Sequence, residues 1–439
     1  MREEIQGSRS PGDATLSALR RGDLAGATEL RFGAGMDAVP PEIFGLSETL
    51  EVLDLGRGTL DALPAEMGRL HKLRAIFLSG HRFTRLPPAL GDCASLGQIG
   101  CRGTGLTEVP GEALPPNLRW LTLTDNRLSS LPEALGARPA LQKLMLAGNR
   151  LTALPETLEG AGNLELIRLA ANRFEVLPRW LTDLPRLAWA AWAGNPCERA
   201  LPRDARAAIS WLEIETGALL GEGASGRVHA ALWRRPGTEA PQAVALKLFK
   251  GAMTSDGLPE HEMAACLLAG PHPHLVGALG RIADHPDGSA GLLMPLLPPI
   301  WRGLAGPPSL ATCTRDIYDP ALRPAAEQAL RIVRGIADAV AHLHARGLMH
   351  GDLYAHNVLW DGTDGQAALS DFGAASALPE GSAGSALRRV EVRAFGLLLE
   401  ELLACCAAAP AHLFALAGAC TGPAADRPAM AEIVERLAG

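Results

Sequence analysis

The chain has 439 residues, 47% of them apolar, and a formal charge of −7 at neutral pH. That length exceeds one ordinary core and predicts at least two domains, each with ample apolar material. The acidic balance argues against nucleic acid or an anionic membrane surface as a partner.

Of the 41 basic residues only Lys72, Lys143, Lys247 and Lys250 are lysines, so a lysine at a chemically meaningful place carries extra weight. The eight cysteines make no CxxC pair and no ligand-spaced set with histidine, which points to reduced thiols in a reducing compartment. The N-terminus, MREEIQGSRSPGD, holds no apolar signal core. The most apolar stretch, Ala394 to Thr421, is interrupted by Glu400, Glu401, Pro410 and His412. No membrane span is therefore expected, and the expected localisation is cytoplasmic.

The first elements in chain order are a helical cap over residues 1–26 and then a repeat. Leu50, Leu73, Leu96, Leu118, Leu141, Leu164 and Leu187 recur at intervals of 23, 23, 22, 23, 23 and 23 residues, and a degenerate copy begins at Ala27. A typical unit reads Leu118-Arg-Trp-Leu-Thr-Leu-Thr-Asp-Asn126 and continues into Leu-x-x-Leu-Pro. The period resembles leucine-rich repeats of the LPxxL kind over residues 27–200. One unit cannot bury its own apolar face, so stability must come from stacking on neighbours. Asn126, Asn149, Asn172 and Asn195 can bond the backbone of adjacent turns. Gly35, Gly58, His81 and Thr104 hold that position earlier, which predicts a looser N-terminal half. The resemblance implies a concave face presenting Phe77, Trp120, Lys143, Met145, Leu166, Arg168 and Trp189. So apolar a strip reads either as a protein-binding surface or as packing against the chain's own second domain.

Residues 201–210 read as a short linker, helical around 203–209 and without a Gly/Ser or Pro-rich tether. From residue 211 the text changes. Gly221, Gly223, Gly226 and Val228 make a G-x-G-x-x-G-x-V loop, which alone is weak because dinucleotide folds share it. The loop, however, leads into the strand-like Val228–Trp233 and then Val244-Ala-Leu-Lys247, not into a helix. Glu262 follows on a predicted helix over 259–268. Next come His272-Pro-His-Leu-Val276, Leu292-Leu-Met294-Pro295, and a long amphipathic helix over 325–346. His350-Gly-Asp352-Leu-Tyr354-Ala-His-Asn357, Asp371-Phe-Gly373 and Asp426-Arg-Pro428 complete the series.

In that order these motifs resemble the eukaryotic-type protein kinases over residues 211–439. The resemblance implies a bilobal α+β fold, with an N-lobe over 211–297 and a C-lobe over 298–439, behind an α/β repeat solenoid. It also implies ATP and magnesium as cofactors. Lys247, oriented by Glu262, would grip the nucleotide phosphates beneath backbone amides of Gly221, Gly223 and Gly226. Asn357 and Asp371 would hold magnesium, and Asp352 would accept the proton of a protein hydroxyl. Val228, Ala245 and Leu359 would sandwich the adenine, with Met294 as gatekeeper. The function implied is a serine/threonine-directed protein kinase whose repeats recruit a protein substrate or regulator and so raise its local concentration.

Four departures from the family pattern favour an alternative, a nucleotide-binding scaffold without turnover. Gly351 replaces an arginine. Tyr354 replaces a lysine, a loss of charge for which a nearby arginine can compensate. Only seventeen residues separate Gly373 from Glu391, with no Ala-Pro-Glu motif for Arg427 to meet. Glu391 stands where an aspartate usually braces the catalytic loop. Ser376, Ser382 and Ser385 in that short segment read either as autophosphorylation sites or as the polar residues of a flexible loop.

Overall fold

A computed structural model describes residues 11–199, 208–223, 225–250, 253–254 and 256–438. The chain divides into two compact units, one ending at Leu164 and the other running from Glu165 to the C-terminus. The last two repeat strands thus cluster with the second unit, so the compact units divide inside the repeat region expected over 27–200.

The first unit opens with the helix Pro11–Arg21. Short parallel strands follow at Glu29–Arg31, Val52–Asp54, Ala75–Phe77, Gln98–Gly100, Trp120–Thr122 and Lys143–Met145. The fixed period sets their register, so that Ile76 lies beside Ile99, Ile99 beside Leu121, and Leu121 beside Leu144. Between strands the chain returns through short 3₁₀ turns such as Ala65–Arg69 and Glu133–Leu135, each entered from a proline. The leucines at 50, 73, 96, 118 and 141 are fully buried. Asparagine stitches neighbouring turns together. Asn126 Oδ1 accepts from the amides of Gly105 and Leu106, each at 3.0 Å, while Nδ2 donates to the Cys101 carbonyl at 2.8 Å. Asn149 repeats the pattern one unit on, from the Leu128 amide to the Leu123 carbonyl. At the equivalent early position His81 is buried, and among the described residues neither ring nitrogen finds a hydrogen-bond partner.

The second unit begins with two more repeat strands, Leu166–Arg168 and Trp189–Ala191, parallel and in the same register. Asn195 closes the series by joining the Phe174 amide to the Leu169 carbonyl. The expected helix around 203–209 falls mostly outside the described residues; Ile209–Ser210 is a strand beside Gly280–Ala283. Three long antiparallel strands, Ile214–Glu222, Gly226–Trp233 and Gln242–Phe249, then pair in sequence. Gly291–Pro295 joins the third of them, setting Met294 beside Ala245. Ile209, Ala231, Val244, Leu246, Ile282 and Leu293 form the core of this lobe. The helix Pro259–Ala269 starts with proline at its first turn, where the missing amide costs nothing. The other lobe is helical: Ala326–Ala345, Gly381–Cys405, Ala411–Thr421 and Met430–Ala438. The hairpin Val358–Trp360 with Ala367–Leu369 carries the polar loops between them. This is an α/β repeat solenoid followed by an α+β bilobal kinase fold. No helix among the described residues is long and apolar enough to cross a membrane.

Candidate active site

Between the lobes lies a cavity of about 760 Å³, lined by Val228, Ala245, Met294 and Leu359 on its apolar sides and by Lys247, Glu262 and Asp371 at its polar end. That size and that division suit a ligand with a flat apolar body and a charged tail. Gly223 donates to the Gly226 carbonyl at 2.9 Å, closing the glycine turn. The glycines differ in purpose. A methyl group at Gly221 or Gly223 would meet nothing within 4 Å, whereas at Gly226 it would stand 2.4 Å from the Leu248 carbonyl oxygen. The first two leave room for a ligand's close approach; the third is required by the sheet.

The strand from Gln242 and the helix from Pro259 bring Lys247 and Glu262 into a direct ion pair. Burial opposes the lysine's charge, but Glu262 and then Asp371 outweigh it and hold the ammonium protonated above its ordinary range. The second oxygen of Glu262 is buried without a partner among the described residues. Asp371 sits in the left-handed backbone region at φ 60° and accepts the Gly373 amide at 3.0 Å, with its side chain exposed to the cleft. Asn357 Nδ2 donates to the Asp352 carboxylate at 2.8 Å and to its carbonyl at 2.9 Å, which leaves the amide oxygen as the acceptor. A hard carboxylate oxygen and an amide oxygen are donors that fit magnesium, and Lys247 fits a phosphate.

The loop 350–357 is braced by a buried carboxylate. Glu391, fully buried, accepts from the Gly351 amide at 2.7 Å and from His344 Nε2 at 2.8 Å. Burial disfavours its charge, yet His344 and the hydrogen bonds pull the carboxyl below the usual range. His350 reaches the Ser370 carbonyl at 3.0 Å and packs near Phe372. Gly351 is required on two counts: its φ is 76°, and a methyl group there would fall 2.6 Å from the Ala374 oxygen and 2.7 Å from the Ala190 oxygen. No arginine fits.

The second of those carbonyls belongs to a repeat strand, and more contacts of this kind follow. Arg168 donates from Nη2 to Asp352 Oδ1, from Nη1 to the Gly351 carbonyl at 3.0 Å, and from Nε to Asp256 at 2.6 Å. Trp189 stacks on Tyr354 at 4.1 Å between centroids and 6° between planes, and its indole nitrogen donates to the Leu353 carbonyl at 3.0 Å. The Trp192 amide donates to Ser376 Oγ at 2.9 Å, and Arg315 grips Glu165 with two hydrogen bonds. Among the described residues Arg427 meets no glutamate; it donates to the carbonyls of Gly422, Arg389 and Pro185.

Some sequence expectations are corrected by this packing. Of the two readings of the concave strip, Leu166, Arg168 and Trp189 follow packing against the chain itself: all three are buried, and Arg168 and Trp189 bond to residues 351–353. Met145 is buried as well, while Phe77 and Trp120 remain half-exposed. Ser376 is fully buried and is no accessible phosphorylation site. Asp256 and Glu165 escaped sequence reading altogether. The one signal for them was indirect: the missing charge at Tyr354 called for a cation from elsewhere.

Residues 214–395 match the family model for "Protein tyrosine and serine/threonine kinase", and residues 116–174 match the leucine-rich-repeat model. The chain is 32% identical over 171 residues to serine/threonine-protein kinase PkaB of Streptomyces coelicolor, covering 36% of this chain and 35% of that one. It is 36% identical over 158 residues to an Oryza sativa protein named for cyclin-dependent kinase F-2, covering 35% and 44% of the two. It thus spans less than half the length of either relative. A solved leucine-rich-repeat protein of Leptospira interrogans is also similar, at 27% identity and a TM-score of 0.37, over 44% of this chain and 48% of that one.

Proposed function

We propose that this chain, leucine-rich repeats joined to a protein-kinase domain, transfers the γ-phosphate of ATP to serine or threonine hydroxyls of proteins. The observation that carries this reading is the closed Lys247–Glu262 pair in one cleft with Asp371, while Asn357, whose carbonyl accepts the Ser370 amide next to Asp371, holds the Asp352 carboxylate. Phosphoryl transfer asks little covalent chemistry of a protein; it asks for positioning and for compensation of charge. Lys247, kept protonated, would hold the nucleotide phosphates. Asn357 and Asp371 would hold a magnesium ion, which when bound neutralises phosphate charge. Asp352, oriented by Asn357, would accept the hydroxyl proton.

Serine/threonine preference rests on the relatives' names and belongs to the proposal, as do the cytoplasmic location and a protein partner on the repeats. Phe77, Trp120 and Lys143 are the residues of the predicted strip that stay half-exposed and open for such a partner. The other reading, a nucleotide-binding scaffold, draws support from the arginine seated on Asp352.

The test incubates the purified chain with magnesium and γ-labelled ATP beside Asp352→Asn and Lys247→Met. Label on the parent that is lost by at least ~10³-fold in both variants is expected. Tight magnesium-ATP binding without any incorporation, alone or with myelin basic protein, would favour the scaffold.

A further inference from the structure

We infer that Arg168, delivered by a repeat strand, is a positioning residue for phosphoryl transfer: it fixes the aim of the Asp352 carboxylate through one oxygen while Asn357 holds the other. The inference rests on the kinase reading above.

Three observations lead to it. First, the cation is built in. Arg168 is 1% exposed and spends all three donating nitrogens on Asp352, the Gly351 carbonyl and Asp256. A guanidinium so buried is held only where its charge is matched, and here two carboxylates match it. Second, Tyr354 cannot serve in its place. Its hydroxyl is buried without a partner among the described residues, its ring lies flat on Trp189, and burial pushes its pKa well above the ordinary phenol value. Third, Arg168 is one of several contacts that the last two repeats make with this lobe. Ala190 approaches Gly351, Trp192 holds Ser376, and Pro185 supplies the third carbonyl that Arg427 needs.

A removable plug would fit these facts poorly. The contacts of Arg168, Trp189 and Trp192 are buried, which is how permanent interfaces look. The Asp352 side chain nonetheless stays 18% exposed, so the carboxylate is oriented without being sealed from an acceptor. Oδ2 takes the Asn357 amide and Oδ1 the guanidinium. A second lone pair on each oxygen is left for a hydroxyl.

The test compares the full-length parent with Arg168→Gln and Arg168→Lys. Label transfer from γ-labelled ATP to myelin basic protein gives kcat and KM for ATP, and thermal melting gives the folded fraction. Arg168→Gln is expected to lose roughly 10²-fold in kcat with KM for ATP little changed. Arg168→Lys should recover part of the rate. Equal or faster transfer by Arg168→Gln would overturn the inference, and so would a silent parent beside an active variant, since the contact would then be a block. Rates that fall only in step with the folded fraction overturn it too, assigning Arg168 a structural role alone. If parent and variants are all as silent as Lys247→Met, the kinase reading itself fails and takes the inference with it.

Discussion

Residues 27–164 and residues 165–195 follow the same 23-residue grammar and meet different fates. In the first stretch Phe77 and Trp120 keep part of their surface open, and Lys143 lies over the Trp120 ring at 4.1 Å. In the second, the matching strand positions are Arg168 and Trp189, buried against the loop that carries Asp352. The period decides that such residues point to the concave face. It does not decide whether that face looks at solvent, a partner or the rest of the chain.

The sharpest way to break this comparison is a pair of tryptophan truncations followed by denaturant unfolding. Trp189→Ala removes a fully packed ring and a hydrogen bond to Leu353, and is expected to cost about 3–5 kcal/mol. Trp120→Ala, from a half-exposed site, should cost less than half as much. Equal losses would mean that the two repeat stretches are packed alike.

A smaller effect is expected along the asparagine series of the first unit. Asn126 and Asn149 satisfy backbone groups on both sides, whereas among the described residues neither buried ring nitrogen of His81 makes a well-formed hydrogen bond. His81→Asn should therefore stabilise the chain by about 1 kcal/mol. A loss of stability would show that the early turns have a different shape from the later ones.

The smallest effect separates the two regions by pH. Burial lowers the pKa of His81 below 6.5. For His356 burial also opposes the charge, but the hydrogen bond to Asp316 at 2.7 Å outweighs it and raises the pKa above 6.5. The unfolded chain thus binds more protons than the folded one at His81, so that contribution is present above pH 6.5 and lost as pH falls through the folded value. At His356 the folded chain binds more, so its contribution is complete below 6.5 and lost as pH rises through the folded value. Histidine titration by NMR should find the two on opposite sides of 6.5. Finding both on one side would remove the contrast.

Much of the site was legible because local chemistry demands particular residue types at particular spacings. The glycine loop, Lys247 in its strand, Glu262 on the next helix and Asp371 before Phe372 follow one another in an order that few folds share. The helix boundaries 326–345 and 259–269 came within a residue of the reading, since amphipathic period and an N-terminal proline mark them. The departures at Gly351, Tyr354 and Arg427 were visible too, but only as gaps. Their compensation comes from residues far away in the chain: 183 positions separate Arg168 from Gly351 and 242 separate Pro185 from Arg427.

By itself, then, the sequence determined the repeat and its register, the kinase lobe and the identity of its polar residues, because each follows from short-range period or from the needs of one reaction. The tertiary structure alone decided where the second unit begins, which concave residues are spent inside it, and which cation attends Asp352. Those outcomes depend on how two surfaces of the same chain match in shape and charge, and no local spacing encodes that match.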